Sequence, residues 1–245
     1  MRVAEYTFRA QVANRWHRGN MFILGDAAHL TPPFIGQGMG AGLRDAVNVA
    51  WKLAGVVNGW LPDSVLDTYE QERKPHARYM IGFALAVGTA MTAGGEAGNL
   101  LRRVVVPRLH LIPRVRDKIV DSTTPALHSS ELVVKARGRR QLAGGLCPNP
   151  ILADGKRLDE VVGTRFAVIT SAPLNPSQQD EMTRRGAVIV AASPGTQLSL
   201  WLQAGRARAA VVRPDRTVMW AGRDVAEVCS AVPVFAPPAD TGGDA

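Results

Sequence analysis

Residues 25–40 read GDAAHLTPPFIGQGMG. A short apolar segment, Met21–Leu24, precedes this stretch, and a helical pattern from about Gly38 to Val57 follows it. The order is therefore a strand, a Gly-Asp step, a loop rich in proline and glycine, and the start of a helix. Glycines let a backbone approach a flat ring closely, and the free N–H groups of a helix N-terminus attract electron-rich groups. The stretch predicts a binding loop for a large, electron-rich ligand.

The same stretch, continued by AGLRDAVNVAWKLA, carries a family resemblance. It resembles the second flavin-contacting motif of the FAD-dependent aromatic hydroxylases, above all of 3-(3-hydroxyphenyl)propionate hydroxylases and related phenol-type monooxygenases. A lone Gly-Asp would be a weak signal, but the long ordered match is specific. The alternative interpretation is a tight structural turn before a helix.

The resemblance implies a set of FAD-binding residues: Gly25, Asp26, Pro32, Pro33, Gly36, Gln37, Gly38 and Met39. In that family the aspartate binds the ribityl chain, and a carboxylate at a strand end suits sugar-type hydroxyls. The two prolines lie beside the isoalloxazine ring, and the Gly-Gln-Gly-Met turn offers N–H groups to the pyrimidine edge of the flavin. A helix N-terminus there stabilises the negative charge of reduced flavin by about 0.3–2 kcal/mol. No residue of this chain is assigned as catalytic or as a metal ligand.

Two further features adjoin the motif. A ligand or acid/base role is one interpretation of His29, but a packed or capping histidine is the favoured one, and no second histidine lies at metal-ligand spacing. Arg44 and Asp45 are either a surface ion pair of little energetic value or, as the resemblance implies, a pair that helps to hold the loop. Small residues at 40–42 should let the helix pack closely. The helical pattern predicts an apolar stripe: Met39, Leu43, Ala46, Val47, Ala50 and Ala54.

The rest of the chain predicts an α/β fold. The resemblance implies the C-terminal part of a FAD/NAD(P)-binding hydroxylase fold, rich in helices, over residues 1–135, and a thioredoxin-like α/β domain over 136–245. The segment YEQERKPHA at 69–77 resembles a structural helix of that family, which Pro75 should kink or interrupt.

The second half contains four short apolar segments, and they predict buried strands: 161–162, 166–170, 188–191 and 209–213. A helix is predicted at about 176–185, between two of these strands. Residues 211–220 predict a hairpin that turns at Pro214-Asp215, with Arg216 where the family has a turn glycine.

The chain contains no strand–GxGxxG–helix fingerprint, which in this family cradles the ADP part of FAD. We therefore expect roughly the C-terminal half of a hydroxylase, inactive alone, that uses FAD with NAD(P)H as co-substrate and acts on a small phenolic molecule. Its expected partners are an N-terminal half-protein or further copies of itself. The alternative is a non-catalytic remnant or an assembly module.

The composition bears on whether this is a nucleic-acid-binding or a membrane protein. The net charge is +8, and the basic residues cluster at 102–118. Aromatic residues make up only 6% of the chain and none lies within that cluster, which argues against a nucleic-acid stacking platform. The cluster is better interpreted as a solvated helix face or a surface against the missing half. We expect no membrane segment and a cytoplasmic location, where two distant cysteines, Cys147 and Cys229, stay reduced as small buried residues.

Overall fold

The computed structural model describes residues 7–92, 95, 103, 125–135 and 142–235. It divides into two compact units: Met1–Ala46 with Arg73–Pro125, and Val47–Glu72 with Ala126–Ala245. The elements, in chain order, are β1 Gln11–Val12, β2 His17–Arg18, β3 Met21–Phe22, β4 His29–Leu30, α1 Gly38–Val57, α2 Asp67–Thr92, α3 Leu158–Val162, β5 Ala167–Thr170, α4 Pro176–Arg184, β6 Val188–Ala191, α5 Gln197–Ala204, β7 Ala209–Val212, β8 Val218–Gly222 and α6 Val225–Ser230. Three 3₁₀ turns lie at Gly25–Ala27, Pro33–Ile35 and Asp63–Leu66.

The described part of the first unit contains two short antiparallel strand pairs. β1 pairs with β4, with Gln11 opposite Leu30, and β2 pairs with β3, with His17 opposite Phe22. The strand predicted over Met21–Leu24 is therefore only two residues long. Gly19 takes a φ of +57° in the turn between β2 and β3, which glycine adopts without strain.

Helix α1 has the predicted bounds, Gly38–Val57, and the predicted apolar stripe lies on its exposed side. Met39 is 82% exposed, Leu43 is 60% exposed and Val47 is 52% exposed, so the predicted apolar stripe faces outward. The buried side carries polar residues among apolar ones: Ala41, Asp45, Asn48, Val49, Trp51 and Lys52. The polar groups are tolerated inside because each has a hydrogen-bonded partner of suitable charge.

The second unit contains a buried group of oppositely charged side chains that pair with one another around Glu72. Its Oε2 accepts from Lys52 Nζ at 3.0 Å and from Arg213 Nη2 at 3.0 Å, and its Oε1 accepts from Arg213 Nη1 at 2.8 Å. Ser130 Oγ donates to Oε1 at 2.6 Å, and Asp215 also pairs with Arg213. Burial opposes the charged forms, but these cations hold the pKa of Glu72 at about 2, while burial lowers the pKa of Lys52 to about 8.

The depressed pKa of Glu72 predicts acid lability. A free glutamate has a pKa of 4.5, so the unfolded chain binds a proton between pH 4.5 and 2 that the folded chain does not. Stability is therefore fully present above pH 4.5 and is lost as the pH falls towards 2, by about 3 kcal/mol from this group. Urea titrations at pH 6 and pH 3 measure the part of this loss that falls above pH 3. We expect Glu72→Gln to flatten this dependence and the exposed control Glu131→Gln to keep it; equal slopes in both variants would contradict the prediction.

The sheet of the second unit has the strand order β6-β5-β7-β8. β5 and β6 are parallel, whereas β7 is antiparallel to both β5 and β8. Alternate residues of the strands face opposite sides. One side packs Phe166, Val168 and Val211 with Trp51, and the other packs apolar residues of α3 and α5.

Most predicted elements of this unit are confirmed. β5, β6, β7 and α4 lie where the sequence predicted them, and β7 and β8 form the predicted hairpin. The strand predicted at 161–162 is wrong, because those two valines end helix α3. Arg216 takes a φ of +64° in the hairpin turn, and its Nη2 donates to Gly163 O at 2.6 Å and Asp159 O at 3.1 Å. These bonds offset the strain of an arginine where the family has glycine.

Three other expectations concern Pro75, the domain boundary and the basic cluster. Pro75 lies inside α2 and does not interrupt it. The compact units do not coincide with the ranges 1–135 and 136–245, because residues 47–72 join the second unit through Trp51, whose ring centroid lies 5.5 Å from that of Phe166. The division into family domains at 135/136 stays a prediction. The basic cluster at 102–118 lies outside the described residues apart from Arg103.

Candidate functional site

The Gly25–Gly40 stretch forms a loop of two 3₁₀ turns separated by strand β4. Gly25 has a φ of +57° at the first turn, and Gly36 has a φ of +64° after the second. Both values lie in the left-handed region that favours glycine, so these two glycines fix the path of the loop. The N-terminus of α1 follows at Gly38.

The loop and α1 touch backbone to backbone. A Cβ atom added to Gly42 would lie 3.2 Å from the Cα of Gly25, which is tighter than most real contacts. The prediction that small residues at 40–42 let the helix pack closely is confirmed, and the close partner is the first residue of the motif itself.

The buried side chain of Asp45 on α1 holds the start of the loop against the helix. Its Oδ2 accepts from the N–H of Gly25 at 3.1 Å and lies 2.7 Å from His29 Nε2, while its Oδ1 accepts from Arg73 Nε at 2.8 Å. The side chain is fully buried. Burial alone would raise its pKa, but the bond from His29 and the charge of Arg73 hold that pKa below its ordinary value. Asp45 is therefore a buried carboxylate that holds the start of the loop.

The structure thus distinguishes the two interpretations of Arg44 and Asp45. Asp45 is not half of a surface ion pair, because its charged partner is Arg73. Arg44 is half-buried and reaches Gln37 Oε1 at 3.4 Å, further along the loop. Both residues contact the loop, as the resemblance implied. Asp45 contacts it at Gly25, and Arg44 contacts it at Gln37.

Arg73 is the supporting residue that the sequence did not single out. Besides Asp45, it donates from Nη2 to Ala41 O at 3.3 Å and from Nη1 to His76 Nδ1 at 3.3 Å. Burial, then the charges of Arg73 and Arg44, lower the pKa of His76 to about 3, so this ring is a neutral acceptor. The only sequence signal for this role was the i, i+3 spacing of Arg73 and His76 on α2.

His29 is a packed histidine, as the favoured interpretation held. It is 3% exposed, and its ring stacks on that of Trp16 with centroids 5.2 Å apart. Among the described residues, no group of three or more histidine, cysteine, aspartate or glutamate side chains could hold a metal ion.

Asp26 is exposed on the first 3₁₀ turn and borders an open cavity of about 560 Å³. The cavity is lined by residues 11–14 and 26–30, which belong to β1, the turn and β4. The other predicted contacts do not line it. Pro33, Gly36 and Met39 are exposed further along the loop, whereas Pro32 is buried.

The N-terminus of α1 leaves donors open. The N–H of Ala41 is bonded to Gln37 O at 2.9 Å, and the N–H groups that precede it at 38–40 have no partner within the helix, as at any helix start. A free carboxylate, two left-handed glycines and a helix N-terminus thus lie on one loop. This set of donors and acceptors fits the ribityl hydroxyls and the electron-rich ring edge of a flavin.

Comparison with known proteins also indicates an FAD-binding domain. Residues 1–84 match the family model described as FAD binding domain. The 3-(3-hydroxy-phenyl)propionate/3-hydroxycinnamic acid hydroxylase of Burkholderia cenocepacia is 39% identical over 173 residues, covering 69% of this chain and 32% of that protein. Hydroxylase 2 of that name from Burkholderia vietnamiensis is 32% identical over 97% of this chain and 50% of its own length. The "Probable NADH-specific resorcinol 4-hydroxylase" of Rhodococcus jostii is 32% identical over 93% of this chain and 44% of its own length.

Solved structures show the same fold. The anhydrotetracycline hydroxylase OxyS of Streptomyces rimosus aligns over 94% of this chain and 47% of its own, with a TM-score of 0.71 and 24% identity. The rebeccamycin biosynthetic enzyme RebC with reduced flavin aligns over 94% of this chain and 48% of its own, with a TM-score of 0.68 and 22% identity. At these identities the likeness concerns the fold alone.

The chain belongs to the family of FAD-dependent aromatic hydroxylases. It spans between 32% and 50% of the length of the curated relatives given above. In the described part of the chain, no helix is both long and apolar enough to cross a membrane.

Proposed function

We propose that this chain supplies the ring-facing half of the flavin site in a FAD-dependent monooxygenase that hydroxylates a phenolic substrate. The observation that carries the proposal is the buried Asp45, which holds the N–H of Gly25 and so presents Asp26 on a loop of fixed path. A loop fixed in this way loses little conformational entropy when a ligand binds.

The residues take distinct roles towards the flavin. Asp26 would accept hydrogen bonds from the ribityl hydroxyls, and the N–H groups of the segment Gly36–Met39 would hold the pyrimidine edge of the ring. Pro32 and Pro33 would lie beside the ring, and of the two Pro33 is exposed and Pro32 is buried. Bound FAD supplies the redox chemistry between NAD(P)H, oxygen and substrate, and the protein supplies binding and orientation.

The proposed substrate class and reductant are inferred from the names of the relatives. Proteins that share 32–39% of aligned residues with this chain are named for hydroxylation of 3-hydroxyphenylpropionate, 3-hydroxycinnamate and resorcinol, and one is named NADH-specific. Each of these three molecules carries a phenolic ring. We therefore assign a small phenol as substrate and NADH or NADPH as co-substrate.

The C-terminal part fits a thioredoxin-like domain without thiol chemistry. The sheet order β6-β5-β7-β8, with β5 and β6 parallel, supports that assignment. Both cysteines are buried and free, and burial raises the pKa of Cys147 to about 12. The domain then serves a structural role or contacts further copies of the chain.

Reconstitution tests the proposed function. The chain is co-expressed with the part of the Burkholderia cenocepacia relative that lies outside the matched region, and NADH oxidation is followed with and without 3-(3-hydroxyphenyl)propionate. We expect substrate-dependent NADH oxidation that falls when Asp26→Ala is introduced. A complex that forms, binds FAD and shows no such oxidation would contradict the monooxygenase assignment and favour the non-catalytic alternative.

A further inference from the structure

A glycine inside helix α2 lies against the predicted flavin loop. Gly88 is buried in α2, and Phe34 lies in the second 3₁₀ turn of the loop, Pro33–Ile35. Both residues belong to the first compact unit. A Cβ atom added to Gly88 would lie 2.4 Å from Cδ2 and from Cε2 of the Phe34 ring, and 2.9 Å from its Cγ. The ring of Phe34 therefore occupies the space that a side chain at position 88 would take.

The backbone of α2 does not require a glycine at position 88. Gly88 has no positive φ, and the helix continues beyond it to Thr92. A glycine inside a helix lowers stability relative to alanine, because it loses more backbone entropy on folding. What glycine provides at this position is therefore room for the ring of Phe34. By contrast, Gly82 on the same helix has no atom within 4 Å of the place where its Cβ would lie.

The contact lies on the buried side of α2. Ala77, Ile81 and Ala84 are buried, and Gly88 follows them at helical spacing, so all four residues lie on one side of the helix. Phe34 is half-buried and brings the loop into contact with this side.

The position of the Phe34 ring bears directly on two of the predicted flavin contacts. Phe34 is preceded by Pro33, and Gly36 follows two residues later. The N–H of Gly36 donates to the carbonyl oxygen of Pro33 at 3.0 Å, which closes the turn around Phe34. Because the turn is this short, a displacement of the ring also displaces Pro33 and Gly36.

We propose that Gly88 is a positioning residue for the flavin loop: by leaving room for Phe34, it sets where Pro33 and Gly36 meet the isoalloxazine ring. The inference rests on the proposed function, and it adds a second attachment of the loop, since Asp45 holds the loop at Gly25. A methyl group at position 88 cannot be accommodated by rotation of the phenyl ring about its own axis, because Cγ lies on that axis and would be only 2.9 Å away. The whole ring must move, as in other overpacked interiors.

The experiment compares two glycine substitutions on the same helix of the full chain. Gly88→Ala is expected to weaken FAD binding on the order of ten-fold, measured by quenching of flavin fluorescence, because the loop is no longer held in its binding geometry. It should also speed hydrogen exchange at the N–H of Gly36, which is read without flavin. The matched control, Gly82→Ala, adds the same methyl group in open space and should change neither quantity.

A double-mutant cycle identifies Phe34 as the residue through which Gly88 acts. Phe34→Ala removes the ring without adding an atom to α2, and it should also weaken FAD binding and speed exchange at Gly36. With alanine at position 34, Gly88→Ala has no ring to displace and should have no further effect on either quantity. A general disturbance of the helix would instead act equally in both backgrounds.

Several outcomes would overturn the proposal. Unchanged FAD affinity in Gly88→Ala would do so, as would a loss of the same size in Gly82→Ala or in the background with alanine at position 34. Exchange at Gly36 separates this inference from the proposed function. Faster exchange in Gly88→Ala, together with no FAD binding by the unsubstituted chain, would sustain the role of Gly88 in placing the loop and contradict the proposed function. Unchanged exchange at Gly36 together with FAD binding that survives Gly88→Ala would do the reverse.

Discussion

Replacing Glu72 by glutamine is expected to lower the free energy of unfolding by about 3 kcal/mol or more, because removal of one partner leaves a buried charge unpaired. Glu72 is fully buried and contacts Lys52 Nζ at 3.0 Å and Arg213 Nη1 at 2.8 Å. Arg213 keeps Asp215 after the substitution, so Lys52 is the cation left without a carboxylate in contact. Chemical denaturation at pH 7 measures the loss.

The control for this prediction is an exposed ion pair in the same unit. Glu181 pairs with Arg184, whose side chain is 73% exposed, and with Arg185, and solvent screens such pairs. Glu181→Gln should therefore leave the unfolding free energy nearly unchanged. Equal losses for Glu72→Gln and Glu181→Gln would show that the buried charges do not stabilise the second unit.

The second prediction concerns the loop itself. Asp45→Asn keeps the shape of the side chain but removes the negative charge that Arg73 pairs with at 2.8 Å. We expect a loss of about 3 kcal/mol or more, since Arg73 is 1% exposed and keeps only neutral acceptors. Hydrogen exchange at the N–H of Gly25, which donates to Asp45 at 3.1 Å, should become faster.

A matched control lies in the same loop. Asp26 is exposed, so Asp26→Asn should change the unfolding free energy by no more than about 0.5 kcal/mol. Unchanged protection of Gly25 in Asp45→Asn would show that the loop does not depend on the buried carboxylate. Destabilisation by Asp26→Asn as large as by Asp45→Asn would show that the two carboxylates had been assigned the wrong roles.

The sequence predicted the bounds of α1 and the loop before it, since glycine, proline and helical spacing are local signals. It did not predict which side of α1 is buried. The apolar residues at 39, 43 and 47 lie on the exposed side, because the polar side has partners elsewhere in the chain: Lys52 pairs with Glu72 and Asp45 with Arg73. Those partners are distant in sequence, so no local pattern could show that the polar side would be compensated.

Two smaller differences have similar causes. The pair at 161–162 is β-branched and suggested a strand, but acidic residues at 159 and 160 favour the first turn of a helix and the structure places α3 there. Asp45 was expected to support the loop, yet its charged partner Arg73 lies 28 residues away and could not be read from spacing. The predicted flavin contacts themselves stay predictions, with Asp26 exposed beside the cavity and Pro32 buried.

The central claim is that the loop from Gly25 to Met39 holds the ring and ribityl chain of a flavin. The most direct measurement is quenching of flavin fluorescence on titration of the chain with FAD, FMN and riboflavin in parallel. The account predicts affinities equal within a factor of about two, because every proposed contact lies on parts that the three molecules share. It also predicts that Asp26→Asn weakens all three on the order of ten-fold, while Asp180→Asn on the exposed side of α4 changes none. No saturable binding by the folded chain, or equal affinities in the Asp26 and Asp180 variants, would contradict it.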